Sequence, residues 1–255
     1  MIAATAIPST ATQQASSTSP ERKLAIATGV LFFITHVTSV AAIVLYQPVL
    51  NRPGYVLGNG AANSRILVGG ILEVILAATV VGTAVTLYPV VSRHNRALAL
   101  DYVGLRTLEA GLIVTGIVSL LAVVSLQHDV AGTAGNAVAL TAVTKALVAV
   151  HNWTFIIGPG LVCGLNTVVM AYALYRSKLV ARFIPVLGLI GGPLVFAANI
   201  AGMFGVPRHD LGVCVVPIFA WEVSLAAFLI LKGFRLTAVT PSMPLDERQP
   251  QLSAA

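Results

Sequence analysis

Five ionisable side chains stand in stretches otherwise oily enough to lie in lipid: His36, Glu73, Arg106, Glu109 and Glu222. On insertion scales such a group costs ~2.5–3.5 kcal/mol at the centre of a membrane helix, so each one needs a partner or a task. In the segment "RTLEAGL" Arg106 and Glu109 are three positions apart. That spacing puts them on one helix face, where they can pair, and turns the face into the bundle and away from lipid. One arginine cannot neutralise three glutamates. Either Arg106 bridges two of Glu73, Glu109 and Glu222, or one or more of these carboxyls stays protonated, because an unpaired charge is costly in a low dielectric. His36 can share a proton with one of them. On helices crossing a bilayer, His36 and Glu222 fall near mid-span, Glu73 about two turns or less to the outside and Glu109 a similar distance to the inside, at ~1.5 Å per residue. Asn166 and Asn199 add uncharged polarity.

Three chemistries suit such a set. It can be a structural polar cluster that fixes helix register. It can be a proton or ion relay along a cavity, because carboxylates and histidines inside membranes often mark such paths. It can also feed a metal-dependent enzyme acting on a lipid-soluble substrate. The donors for a metal, His36, Glu73, Glu109, Glu222 and His151, come singly, however, with no HExxH spacing, so no metal is assigned. His151, Asn152 and Trp153 fall at the outer interface, where Trp is an anchor and His151 is expected to be a solvated end-group. His128-Asp129 and Arg208-His209-Asp210 read as solvated loop charge. Cys163 and Cys214 lack zinc or redox spacing and read as small core residues. There is no GxGxxG after a strand, no P-loop and no GxSxG, so no cofactor is expected, and nucleotide-driven transport by this chain alone is disfavoured.

The elements that must position these groups follow from composition. Of 255 residues, 57% are hydrophobic and 9% charged, against about a quarter charged in a soluble domain. Too few charges remain to cover a water-facing surface. Six apolar segments are long enough to span: Leu24–Tyr46 and about Ile66–Val91, Tyr102–Leu126, Trp153–Tyr175, Phe183–Val206 and Leu211–Leu231. The first reads as an uncleaved membrane helix. Between spans one and two, Pro48, Pro53, Gly54, Gly58 and Gly60 mark an irregular loop. The stretch 138–150 is either an interfacial helix or an early start to span four. With the N-terminus in the cytoplasm, Arg22, Lys23, Arg93, Arg96, Arg176, Lys178, Arg182, Lys232, Arg235 and Arg248 lie inside, and only Arg52, Arg65, Lys145 and Arg208 outside. The expected fold is therefore an all-α membrane protein, a bundle of six transmembrane helices with both termini cytoplasmic. Residues 1–23 and 236–255 are expected to be disordered tails around a membrane domain at 24–235. The net charge of +6 lies in short clusters that suit anionic lipid headgroups at the cytoplasmic face and not nucleic acid.

Gly160 and Gly164, and the group Gly188, Gly191 and Gly192, predict close helix packing. Pro159, Pro193 and Pro217 predict bends. The phrases "NRPGYVLGNGAANSRILVGGILEVILAATVVGTAVTLYPV", "RTLEAGLIVTGIVSLL", "ALVAVHNWTFIIGPGL", "LYRSKLVARFIPVLGLIGGPL" and "WEVSLAAFLILKGF" resemble a bacterial family of uncharacterised multi-pass membrane proteins, a domain of unknown function. The likeness spans about residues 24–235 and includes Glu73, Arg106, Glu109, His151, Trp153 and Glu222. It implies an integral protein of the bacterial inner membrane and carries no established site residues. The functional expectation is a small permease or an accessory or sensor protein with a protonatable intramembrane cluster, more readily than an enzyme. A metal-dependent intramembrane enzyme and a structural scaffold are the alternatives. The small-molecule ligand is unspecified and self-association stays open.

Overall fold

The computed structural model describes residues 19–52, 54–130, 136–207 and 212–235. Both expected tails, apart from a few residues next to the bundle, and the Arg208-His209-Asp210 loop lie outside the described residues. Among the described residues seven α-helices make six spans: α1 (Pro20–Asn51), α2 (Asn63–Val91), α3 (Arg96–Val130), α4 (Ala137–Phe155), α5 (Cys163–Ser177), α6 (Phe183–Met203) and α7 (Val216–Leu231). A π-helical segment, Ile156–Val162, joins α4 to α5 in one unbroken run, and short 3-10 turns at Tyr55–Leu57 and Gly212–Val215 precede α2 and α7. No strand occurs among the described residues.

Among the described residues six helical runs are long and apolar enough to cross a membrane, and only a third to a half of each apolar window is buried within the protein. The outward remainder is apolar too: Val37, Val40, Ile71, Val118, Phe183 and Ile190 are all exposed. A surface of this kind is stable only against hydrocarbon. The protein is a multi-pass membrane protein.

The spans form a closed ring. α1 packs on α2, α2 on α3, α3 on α5, α5 on α6, α6 on α7, and α7 returns to α1. Small residues set the closest approaches. A Cβ on Gly164 would lie 2.9 Å from the Gly192 carbonyl oxygen, and one on Gly191 would lie 2.5 Å from the Ile218 nitrogen. α5, α6 and α7 therefore meet backbone to backbone, as the glycine spacing predicts. The ends are tied as well. Ser19 caps α1 by accepting from the Arg22 N–H at 3.2 Å, so the helix starts ahead of Leu24. The Arg22 guanidinium donates to the Leu229 carbonyl at 2.8 Å and to that of Ile230, adding a charged donor to the carbonyl end of α7.

Three local expectations are revised, and the alternative left open at 138–150 is resolved. Pro48 lies inside α1, which runs on to Asn51, and Pro217 sits in the first turn of α7, where its missing N–H costs no helical bond and bends nothing. The stretch 138–150 is continuous with span four, in a helical run of 41 residues from Ala137 to Ser177. Cys163 and Cys214 are both free and only partly buried.

Candidate functional site

Along α3, one side faces successive apolar clusters. Ala99 and Tyr102 join a core with Trp221, Leu225 and Leu229, and Ala110, Ile113 and Ile117 join another with Leu76 and Val80. Between them lie Arg106 and Glu109, each only 4% exposed. Arg106 Nη1 donates to Glu109 Oε2 at 3.2 Å, its Nη2 donates to Glu222 Oε1 of α7 at 3.2 Å, and its Nε donates to the Tyr102 hydroxyl at 3.0 Å. The rings of Phe32 and Tyr102 stand 5.6 and 5.4 Å from the guanidinium carbon. Asn166 Nδ2 of α5 donates to the same Glu109 oxygen at 2.7 Å. The arginine is thus sealed against two carboxylates, one phenol and two rings, the dense pairing that a buried cation demands.

The second oxygen of Glu222 leads to α1. His36 Nε2 is 3.2 Å from Glu222 Oε2, while its Nδ1 is 2.7 Å from the Phe32 carbonyl oxygen. A carbonyl only accepts, so Nδ1 carries hydrogen, and in a neutral ring Nε2 is then a bare acceptor. A hydrogen bond across the Nε2–Oε2 contact therefore needs one further proton, borne either by an imidazolium or by a carboxylic acid. Both placements leave the four groups Arg106, Glu109, Glu222 and His36 with no net charge. Removing that proton leaves a net charge of −1.

These groups floor a cavity of about 420 Å3 between α1, α3, the π-helical segment, α6 and α7. His36 and Glu222 are the open members, with side chains 18% and 15% exposed. Thr35, Ser39 and Asn199 add polarity to walls that are mainly apolar. The π-helical segment shapes one wall through Ile156, Pro159 and Gly160. Proline lacks the N–H that an α-helix needs there, which explains the widened turn, and such bulges recur at functional sites. A Cβ on Gly160 would lie 2.4 Å from Asn199 Oδ1, so this glycine lets the wall close on α6.

The chain matches the family described as "Domain of unknown function (DUF4386)" over residues 27–233. It belongs to that family. No curated protein and no solved structure matches it. The matched region takes in all four clustered groups of this family member.

Glu73, expected with the others, stands apart. It accepts from the Tyr46 hydroxyl at 3.0 Å in the wall of a small adjoining void that also touches His151 and Thr154. His151 is buried, with its ring edge-on to Tyr46 at 5.6 Å between centroids. The solvated end-group expected there is corrected: α4 runs on into span four, so residue 151 is not an end. Asn152 and Trp153 are exposed. Among the described residues, no three His, Cys, Asp or Glu side chains come together as a metal-holding group, so the donors of the metal-enzyme alternative are not assembled. Tyr102 escaped the sequence reading. Its position four residues before Arg106, on the same face, was the available signal.

Proposed function

We propose that the protein is a small permease of the bacterial inner membrane, with both termini cytoplasmic, whose cycle passes through the gain and loss of one proton at the His36–Glu222 pair. The observation that carries this reading is the 3.2 Å approach of His36 Nε2 to Glu222 Oε2, at the open side of a cavity whose other charged members are sealed. Purely structural glue has no need of a member that opens into a cavity, and here the two groups of the pair are the open ones. The orientation rests on basic residues at the end of the bundle where Arg22 meets the end of α7 and where Arg93 pairs with Glu21 at 3.2 Å.

The test is a pH jump on proteoliposomes adsorbed to a solid-supported membrane. The wild-type protein is expected to give a transient current as protons enter or leave the cavity. E222Q is expected to abolish it and E73Q to keep it. A wild-type protein without a transient, or an unchanged one in E222Q, overturns the reading.

A further inference from the structure

The cavity has a mouth of unusual chemistry. Val40, Val215 and Phe219 line it and are at the same time 60, 52 and 50% exposed, so it opens between α1 and the start of α7, through the same apolar surface that faces hydrocarbon. A solute entering there comes from lipid. Inside it meets apolar walls, the rings of Phe155 and Phe219 and one open carboxylate. A volume of about 420 Å3 is within the usual ~300–1,000 Å3 range of small-molecule sites.

The sign of the ligand follows from which groups remain free. Arg106 is closed to an anion, because it is only 4% exposed and three of its five N–H donors are held by Tyr102, Glu109 and Glu222. Glu222 has one partner on each oxygen, whereas a carboxylate has about four lone-pair sites. Phe219 stands edge-on to His36 at 5.1 Å between centroids, placing an aromatic ring beside the carboxylate. A carboxylate with aromatic neighbours in an apolar pocket is the chemistry that recognises organic ammonium and phosphonium ions.

We infer that the cavity binds a lipophilic organic monocation, which enters sideways between α1 and α7 and takes the place of the His36–Glu222 proton. This inference rests on the permease reading and names its substrate class. The exchange balances: the cation adds one positive charge, the proton leaves to water, His36 stays as neutral imidazole and Glu222 as carboxylate, and the cluster with its guest is again neutral. The other groups facing the pair keep their roles. They are Tyr102, Arg106 and Glu109 from α3 and the Cys163 thiol from α5, while α6 contributes the uncharged Asn199 and α2 only Leu76 and Val80.

The experiment measures tetraphenylphosphonium binding to the purified full chain in nanodiscs, with empty nanodiscs as blank and tetraphenylborate as the anion of the same shape. Saturable phosphonium binding is expected, weakening about tenfold per unit of acidification once the pair is protonated, as one-for-one proton displacement requires. E222Q is expected to lose at least tenfold in affinity, and E222D, which keeps the charge, to retain most of it. Absent phosphonium binding, affinity flat across pH, or borate binding as tight as phosphonium overturns the inference in the unaltered protein, whatever the variants do. The pH-jump current separates the two failures: a persisting current leaves the proton reading standing and the cation class wrong, and an absent one removes both.

Discussion

Arg106 holds the cluster together, and its removal is the most informative single change at the residue scale. In R106M, Glu109 and Glu222 would face one another without a counter-charge. Breaking a buried pair in this way costs about 3–5 kcal/mol, so the thermal midpoint of R106M in detergent is expected to fall sharply and to recover in part in R106M/E109Q. The Arg106–Glu109 contact was legible in the sequence because both residues ride one helix, where spacing fixes direction as well as depth. Glu73 was grouped with them because its depth along the membrane normal was right. Depth does not give the direction in which a side chain leaves its helix, and Glu73 turns instead to Tyr46 of α1. Tyr46 and Tyr102 are both buried and spend their hydroxyls on hydrogen bonds with Glu73 and Arg106.

Among the elements, α5, α6 and α7 are held by glycines that have no room to grow. G191A would drive a methyl against the backbone of α7. Overpacking of this kind costs about 1–3 kcal/mol. G104A, on an open face of α3 with nothing within 4 Å, is expected to be neutral or to stabilise by up to about 1 kcal/mol through helix propensity. Thermal unfolding of the two variants in the same micelles makes the comparison. The six spans were legible because a lipid-crossing helix must be long, apolar and hydrogen-bonded within itself. The π-helical segment was not, because "GPG" signals a disturbance without saying whether the chain bends, breaks or widens there. Pro48 misled for the opposite reason. Only a few residues follow it in α1, and a helix near its end tolerates the loss of one bond.

For the whole molecule, the ring is closed where the first span meets the last, and Arg22 is the clasp. R22A leaves the Leu229 and Ile230 carbonyls without their charged donor. Hydrogen bonds to charged groups contribute about 1.5–3 kcal/mol, so a loss of that order is expected in the denaturation midpoint, together with faster proteolysis at the ends of the bundle. The cavity lies inside this ring, and its mouth is on the α1–α7 side, the side that Arg22 fastens at one end. A looser clasp is therefore expected to alter the pH-jump transient as well as stability.

The one-turn spacing of Arg106 and Glu109 also bears on how the protein is made. Glu222 follows Arg106 by 116 residues, a delay of roughly 6 to 23 s at ~5–20 residues per second of synthesis. Throughout that interval α3 has no α7 to lean on. Glu109, already on the same helix, balances the arginine from the moment both leave the ribosome. The third span thus carries its own counter-ion through insertion and can wait in lipid until its last partner arrives.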